Sequence, residues 1–346
     1  MDLDLGVLLF SDYPTRELVE LGSLCEAAGY RYFWYTDVRF ARDCYIGLTA
    51  VAGVTRTMLL GPGVTDPYSR HPALTATAVA TLDELSGGRA LLGLGTGGSG
   101  FRELGIDPKL PVAALRETVA VIRGLLRGEP VSLNGKVVTI DGGRLAFTPA
   151  NAGIPVYFAT HGAQVTRLAG EVADGVLIAN TLSRSAFEQY LRRLDEGLAR
   201  RTDESPDFDI GLRVEAAIAE DDAAAFAVMR RRVATRVLSQ YPHWDYLGQL
   251  GIVLPEEFVS LAAAHGTKAA KAAAPLLPAE VVQSMALAGD PERVAAQLAR
   301  ALHPRVTQLT VRPHAVKGQN VAEVIRSFAE EVVPRALQMR EAHQAT

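Results

Sequence analysis

The sequence predicts an α/β protein, a single (β/α)8 TIM barrel. Short apolar runs, typical of buried parallel strands, alternate along the chain with segments of helical periodicity. Neither an internal repeat nor a low-complexity linker divides the 346 residues. Because barrels of this class commonly reach this length when they carry insertions, we expect one domain over residues 1–346.

The predicted elements follow this alternation in order. Strands are expected at residues 3–10, 30–35, 58–60, 89–94, 156–159, 175–179, 208–219 and 305–312. Helices are expected at residues 14–28, 45–53, 70–85, 111–127, 164–172, 184–200 and 321–340, and a further helix starts near residue 221. Eight strands that each precede a helix favour one barrel over two domains.

Two segments interrupt the alternation. Residues 130–147 contain Asn134-Gly135 between alternating residues, which is a strong hairpin signal and predicts a β-hairpin insertion after the fourth helix. Residues 240–290 contain proline-interrupted helix fragments and an Ala/Lys-rich patch, which predict a helical insertion before the eighth strand. This second insertion would cover the barrel mouth or contact another subunit.

Composition excludes several classes of function. A hydrophobic content of 48% and a charged content of 21% are typical of a globular protein with a sizeable core. The net charge of −4 argues against nucleic-acid and membrane-surface partners. No apolar run approaches the ~18 residues of a membrane span, and the acidic start lacks the basic region of a signal peptide. We therefore expect a cytoplasmic protein.

The two cysteines, Cys25 and Cys44, show no metal-binding spacing such as C-x-x-C. Reduced thiols in the cytoplasm are the expected state, and no metal site is predicted.

The stretch from Met58 to Gly100 organises the chain. It reads as strand, glycine turn, helix, strand and second glycine turn, and parallel α/β proteins bind their ligands at the carboxyl ends of such strands. Two interpretations of the second turn, residues 95–100, remain open from the pattern. It forms either a nest of amide groups for a phosphate or an ordinary turn.

Within it, the segment GPGVTDPYSRHPALTATAVATLDELSGGRALLGLGTGG (residues 61–98) resembles the luciferase-like superfamily, and most closely its coenzyme F420-dependent branch, such as methylenetetrahydromethanopterin reductases. A second block, residues 156–162 with residues 168–176, resembles the other phosphate-site region of that family. The resemblance covers residues 1–180 well and the remainder loosely. It implies an F420-dependent oxidoreductase that acts on a small molecule as a homodimer.

The resemblance also implies the cofactor site. Gly63-Val64 matches the position of a non-prolyl cis peptide whose bulge supports the deazaflavin ring, and Thr65 follows it. Two further segments match the loops that contact the phosphate or ring: Gly95, Thr96, Gly97 and Gly98, and then Thr160, His161, Gly162, Ala163 and Gln164. The second segment begins a helix, whose free N–H groups suit an anion.

Asp37 is the first candidate catalytic residue. It follows the second strand, on the face where barrel enzymes place reacting groups. Burial would raise the pKa of its carboxyl group and let it supply a proton, and it could also orient a substrate. The alternative is a helix cap, or an ion pair with Arg39 or Arg42. Many members of the family have histidine after this aspartate, and this chain has Val38.

Arg42 is the second candidate, because it matches the reductase pattern. The alternative is that it pairs with Asp43 or Asp37. Asp66 stands where the reductases often have asparagine, and an acid there would change substrate choice. Some deazaflavin dehydrogenases carry a catalytic glutamate near the position of Gly98, so glycine there argues against their sugar-phosphate chemistry. Arg70-His71-Pro72 is expected to begin and hold the third helix.

Three functions are compatible with these observations. The first is hydride transfer between C5 of F420 and a C=C, C=N or carbonyl group. The second is an FMN-dependent luciferase-like monooxygenase on the same barrel, which needs the reactive N5 that a deazaflavin lacks. The third is a barrel that binds the cofactor without turnover, which the missing histidine and glutamate keep open.

Overall fold

The computed structural model describes residues 3–98, 100–160, 162–201, 208–244, 247–248 and 251–344. Strands and helices alternate through the first half of the chain. Their bounds are β1 (Asp4–Leu9), α1 (Thr15–Ala27), β2 (Tyr32–Tyr35), α2 (Cys44–Ala52), β3 (Leu59–Pro62), α3 (Pro72–Ser86), β4 (Leu92–Leu94), α4 (Pro111–Leu126), β5 (Val131–Asn134), β6 (Thr139–Gly143), β7 (Val156–Thr160), α5 (Ala163–Val172) and β8 (Gly175–Ala179).

The second half contains longer helical stretches. Its elements are α6 (Arg184–Leu198), β9 (Asp209–Ile218), α7 (Asp222–Ser239), α8 (Glu256–His265), α9 (Ala270–Ala273), α10 (Ala279–Met285), β10 (Ala286–Gly289), α11 (Pro291–Ala301), β11 (Gln308–Pro313), α12 (Val321–Ser327) and α13 (Val333–Gln344). Short 3₁₀ turns separate α8, α9 and α10, and one π-helical turn (Phe328–Val332) connects α12 with α13.

The strands form a nearly closed barrel. Their order is β3-β2-β1-β11-β9-β8-β7-β4, and β10 pairs with β9. Single parallel bridges, Leu60 with Ala90 and Thr65 with Leu94, connect the two ends of this path. The pairs β1–β2, β2–β3, β4–β7, β7–β8 and β9–β10 are parallel, with Leu94 beside Phe158 for example. The predicted (β/α)8 TIM barrel is therefore confirmed.

The chain groups into two compact units. The first comprises Met1–Ala179, Gln189–Leu212 and Arg305–Thr310, and the second comprises Asn180–Glu188, Arg213–Pro304 and Val311–Thr346. The expectation of one domain over residues 1–346 stays a prediction, which a single cooperative unfolding transition would support.

The first unit has an aromatic core inside its strands. Trp34 stacks on Tyr32 with ring centroids 6.3 Å apart and meets Tyr157 edge-on at 5.3 Å. At the amino-terminal end of β9, Asp209 accepts hydrogen bonds from the hydroxyls of Tyr157 (2.7 Å), Tyr32 (3.3 Å) and Thr307. Asp209 thus gives the hydroxyls of Tyr32 and Tyr157 an acceptor at the amino-terminal end of β9, where a stabilising role is expected.

The second unit has its own core. It lies among α7, α8, α10 and β10, where Met229, Phe258 and Val281 have no exposed surface. The apolar face of α7 and the small residues of the helical segment produce this packing.

The Ser86-Gly87-Gly88-Arg89 motif has a structural role. Gly87 and Gly88 take left-handed backbone conformations after α3. The buried Arg89 guanidinium then donates hydrogen bonds to carbonyl oxygens of Ala52, Thr55, Met58 and Ser86 and to the hydroxyl of Thr55. All of these partners lie in the scaffold, so this part of the sequence motif holds α2, α3 and β3 together.

Both predicted insertions are present. Asn134 pairs with Thr139 in the β5–β6 hairpin, and helices occupy residues 256–285 of the helical insertion. Two elements were not predicted from the sequence: Ala286–Gly289 forms strand β10, and Pro291–Ala301 forms helix α11. In the described part of the chain, no helix combines the length and the apolar character that a bilayer crossing needs.

Candidate cofactor and active site

Asp37 lies directly beyond β2, where the sequence placed it. Its carboxylate accepts a hydrogen bond of 2.7 Å from the hydroxyl of Thr65, a side chain with no exposed surface. Burial raises the pKa of the Asp37 carboxyl group, although the Thr65 hydrogen bond and the charges of Arg70 and Arg39 oppose that effect. Asp37 thus holds its proton more readily than an ordinary aspartate, as a group that supplies a proton must.

The backbone bulge after β3 contains the cis peptide bond between Gly63 and Val64 that the resemblance implied. Main-chain hydrogen bonds hold it from both sides. The Gly63 N–H donates to the Tyr35 carbonyl at 2.8 Å, and the Thr65 N–H donates to the Gly93 carbonyl at 3.0 Å. The shape of the bulge is therefore fixed by its neighbouring strands rather than by its side chains.

Gly95 joins this bulge to the next loop. Its N–H donates to the Thr65 carbonyl at 3.0 Å, and a Cβ atom at this position would lie 2.6 Å from Val64 Cγ2. A larger residue would displace the bulge, since real Cβ atoms do not approach so closely. Glycine at position 95 is thus needed for a close approach between two loops.

Thr96, Gly97 and Gly98 follow Gly95 and are exposed. Within the described residues, their backbone N–H groups have no hydrogen-bond partner. Gly97 and Gly98 have φ values of 68° and 151°, which favour glycine. This loop therefore presents uncharged donors to solvent, an arrangement that suits an oxyanion.

The turn from β7 into α5 is the third predicted segment. The buried Thr160 hydroxyl contacts that of Thr166 at 2.9 Å, and the Gly162 N–H donates to Thr160 Oγ1 at 3.3 Å. Because Gly162 uses its N–H in this way, the first-turn amides of Ala163 and Gln164 are the donors that remain for an anion. His161 lies outside the described residues.

The strand register brings these segments into one row. Thr65 bridges Leu94 of β4, and Leu94 pairs with Phe158 of β7. The bulge, the loop 95–98 and residues 160 and 162–164 therefore leave the sheet side by side at the carboxyl ends of β3, β4 and β7. A cavity of about 590 Å³ lies beside Gln164, bounded also by the first turn of α4 and by Lys136.

Arg42 is not part of this row. Its guanidinium donates to the Asp12 carbonyl at 2.7 Å, and its side chain is exposed. In the described residues no ion pair connects it with Asp37 or Asp43, the two partners that the alternative interpretation offered. Its catalytic role stays a prediction.

Asp66 binds within its own loop, and its effect on substrate choice stays a prediction. Its buried carboxylate accepts from the N–H groups of Tyr68 and Ser69, both at 2.8 Å, and from the Ser69 hydroxyl at 2.7 Å. It also forms a close ion pair with Arg39, whose guanidinium lies 4.9 Å from the Phe101 ring centroid. Asp66 therefore shapes the loop, and Arg39 pairs with it rather than with Asp37.

Arg70, which the sequence predicted only as part of the start of the third helix, is a further functional candidate. It lies 3.6 Å from Asp43 and 4.8 Å from the Tyr45 ring centroid, and its charge acts on Asp37. The expected structural role for its neighbours is confirmed, since His71 caps α3 through the Ala73 N–H at 3.1 Å. In the described residues, no group of three His, Cys, Asp or Glu side chains could hold a metal ion.

Comparison with known proteins assigns the family. The model of the luciferase-like monooxygenase family matches residues 5–308. The chain belongs to this family.

Several luciferase-like relatives are named as F420-dependent enzymes or as reductases. The chain is 29% identical to the 5,10-methylenetetrahydromethanopterin reductase of Methanopyrus kandleri over 96% of its own length and 98% of the relative's. It is 30% identical to an F420-dependent glucose-6-phosphate dehydrogenase of Beutenbergia cavernae, over 93% and 94% of the two chains. It is also 40% identical to the reductase of Archaeoglobus fulgidus, but that match spans 59% of this chain and 61% of the relative.

A solved structure is similar over the whole luciferase-like fold. The coenzyme F420-dependent tetrahydromethanopterin reductase from Methanopyrus kandleri superposes with a TM-score of 0.84 at 28% identity, covering 96% of this chain and 99% of that one. The sequence resemblance to the F420-dependent branch of the luciferase-like family is thereby confirmed.

The residues in the row fit a phosphorylated flavin-like cofactor. Gly98 and Gly162 have open space where a Cβ atom would stand, so a ligand can reach the main chain there. The remaining donors are neutral amides, which suit phosphate oxygens.

Proposed function

We propose that the chain is a coenzyme F420-dependent oxidoreductase that acts on a C=C, C=N or carbonyl group of a small molecule. The observation that carries this proposal is the row of main-chain features at residues 63–65, 95–98 and 160–164. Similarity to the M. kandleri reductase over nearly the full length of both chains supports it. The bound deazaflavin would supply the hydride at its C5 atom.

Residues of the chain would support the ring, bind the phosphate and supply a proton. The bulge at Gly63-Val64 would support one face of the ring, since backbone hydrogen bonds hold it from both sides. The free amides of residues 96–98, with those of Ala163 and Gln164, would bind phosphate oxygens. Asp37 would supply the proton that a reduced C=C, C=N or carbonyl group also needs, because burial favours its protonated form.

Glycine at position 98 supports a reductase over a sugar-phosphate dehydrogenase. A glutamate side chain cannot be offered from a glycine, and φ of 151° at this position disfavours other residues. The substrate would therefore be activated by groups other than a carboxylate on this loop.

The decisive experiment is a fluorescence titration of the purified protein with oxidised F420 and, separately, with FMN. Tight binding of F420 without binding of FMN is the expected result. Preference for FMN would overturn the cofactor assignment in favour of the monooxygenase. Binding of F420 without hydride exchange with any substrate would favour a non-catalytic barrel, and binding of neither would remove the proposed cofactor site.

A matched pair of glycine variants tests the site itself. Gly95→Ala places a methyl group 2.6 Å from Val64, whereas Gly53→Ala lies at an ordinary φ of −66° with its nearest contact at 3.5 Å. We expect Gly95→Ala to weaken F420 binding by at least about tenfold, the effect of roughly 1.4 kcal/mol. Gly53→Ala should bind F420 as tightly as the unchanged protein does. Equal F420 affinities for both variants would contradict the proposed role of the bulge at residues 63–65.

Two further expectations remain proposals. We propose a homodimer in solution, which light scattering would register as about twice the chain mass of 37.0 kDa; a mass of one chain would overturn it. We also propose a cytoplasmic location, which the two buried free cysteines support.

A further inference from the structure

Two neighbouring helices of the first unit, α2 and α3, have almost no charge on their exposed surface. They pack against each other, and α2 (CYIGLTAVA) contains no charged residue. Of the two acids in α3, Asp83 is buried and accepts a hydrogen bond of 3.1 Å from the Ala90 N–H. Every residue of the two helices is described, and Glu84 is the one charge that they expose.

Large apolar side chains lie in solvent on this surface. The exposed fractions are 67% for Ile46, 59% for Leu74 and 58% for Leu85, and Val54, two residues beyond α2, is 43% exposed. The exposed positions of α3 recur at the spacing of one helical face, as 74, 77, 81 and 85. We call the exposed residues 46, 49, 54, 74, 77, 81 and 85 the neutral face. Contiguous exposed apolar surface of this kind marks a site of interaction with another macromolecule.

The exposed threonines of the neutral face are prepared for burial. Each hydroxyl donates to the carbonyl oxygen four residues earlier in its own helix: Thr49 to Tyr45 at 2.7 Å, Thr77 to Ala73 at 2.9 Å and Thr81 to Thr77 at 2.8 Å. A partner that displaced water from these threonines would leave no hydroxyl donor without an acceptor. Covering the neutral face therefore costs little polar desolvation.

The helices on either side of the neutral face differ from it. Helix α1, which packs against α2, exposes Arg16, Glu17 and Glu20. Helix α4, which packs against α3, exposes Arg116, and this arginine pairs with Glu171. An uncharged centre with charged surroundings is the composition of a protein–protein interface, whose core is depleted of charged residues and whose rim is polar.

The charge of the molecule favours a second copy of this chain as the partner. Each copy has a net charge of −4, so two copies repel each other unless they meet through uncharged surface. The interface of a two-fold symmetric dimer must be complementary to itself, and an apolar surface without charge meets that condition. A partner of different chemistry is usually selected by complementary charges, which the neutral face does not offer.

We propose that the neutral face is the contact between two copies of this chain, related by a two-fold axis. The apolar side chains of one copy pack on those of the other, and the threonine hydroxyls keep their bonds within the helices. The inference rests on the homodimer proposed above and names the surface that forms it. It does not depend on the identity of the cofactor.

The test measures the molar mass by sedimentation equilibrium over a range of protein concentrations. The unchanged protein is compared with Leu74→Glu, Thr77→Glu and the control Val253→Glu. The control places the same charge on a side chain that is 86% exposed in the second unit, away from the neutral face. Position 74 lies in the first turn of α3, where a carboxylate suits the helix, so this variant is expected to fold.

We expect the unchanged protein and Val253→Glu to show about twice the chain mass of 37.0 kDa. Leu74→Glu and Thr77→Glu should raise the dissociation constant of the dimer at least about a hundredfold, because each buries two like charges against the apolar side chains of the partner. Dimers of unchanged stability in both variants would overturn the neutral face as the contact. Equal dissociation of the control would also overturn it, since the effect would then come from added charge alone.

The possible failures are distinguishable. If the unchanged protein is a dimer and both face variants remain dimers, the proposed homodimer stands and only its assigned surface is contradicted. If the unchanged protein has the mass of one chain at every concentration, both the homodimer and the surface are contradicted. Titration with F420 judges the cofactor separately, and Thr77→Glu should bind F420 as tightly as the unchanged protein does.

Discussion

Asp37 and Asp66 each follow a strand of the first unit, but their surroundings differ. Asp66 is fully buried and accepts from two amides, one hydroxyl and Arg39. Asp37 is half-buried and accepts one hydrogen bond, from Thr65. A carboxylate that accepts four hydrogen bonds from its own loop and from Arg39 serves the scaffold. One with a single hydrogen bond and a raised pKa can exchange a proton.

The largest effect is expected from Asp66→Ala. It leaves the Arg39 guanidinium, with a side chain only 10% exposed, without its carboxylate. Breaking a buried pair in this way should lower the free energy of unfolding by about 3–5 kcal/mol, as measured by urea denaturation.

Asp107→Ala is the control for that change, because Asp107 is 73% exposed and, among the described residues, pairs only with Lys109. Its effect should stay within about 0.5 kcal/mol. A comparable loss for both variants would show that Asp66 is no more structural than a surface acid.

Asp37→Asn should leave the free energy of unfolding unchanged and slow the reaction. The amide keeps the shape and can still accept from Thr65, but it cannot supply a proton. We expect hydride transfer to slow by about 10²–10⁴-fold, as measured by single-turnover F420 absorbance, while F420 affinity stays unchanged. Asp37→Glu should restore part of the rate. Full activity in Asp37→Asn would remove Asp37 from the mechanism.

The pH dependence of the reaction rate tests whether Asp37, unlike Asp66, supplies a proton. A group that supplies a proton works below its pKa, so the rate should fall as pH rises through the raised pKa of Asp37. Thr65→Val removes a hydrogen bond that favours the charged form, so it should raise this pKa further and move the fall to higher pH. A shift to lower pH, or none, would contradict Asp37 as the titrating group.

Arg42→Gln should have the smallest effect. Its guanidinium is exposed and donates to the Asp12 carbonyl. We expect a stability change within about 0.5 kcal/mol, measured by urea denaturation, and an unchanged single-turnover rate. A large loss of rate with normal stability would restore the catalytic role that the sequence pattern assigned to it.

The barrel was predictable because almost every strand and helix has the spacing of apolar residues that is typical of its class. Strand β8 was placed at its observed bounds, and Asn134-Gly135 correctly marked the β5–β6 hairpin. Strand β10 was missed because its sequence, Ala-Leu-Ala-Gly, lacks the β-branched residues that distinguish strands from helices.

The polar partners were harder to predict than the strands. Arg39 is near Asp37 in sequence but pairs with Asp66, because the loops after β2 and β3 meet only in the folded chain. One local signal was available: in Asp66-Pro67-Tyr68-Ser69 the aspartate can accept from the amides two and three residues on, which is how Asx turns form.

The bulge at Gly63–Thr65 is held by main-chain hydrogen bonds to Tyr35 and Gly93, so substitutions that leave the close packing at Gly63 and Gly95 unchanged also leave its geometry unchanged. A lineage carrying this barrel can therefore exchange residues of the loop after β2, such as Val38, and keep the main-chain bonds that hold the bulge. Cofactor binding and substrate preference can then change independently of each other. An engineer could vary the loop after β2 in a library without having to re-select for the coenzyme.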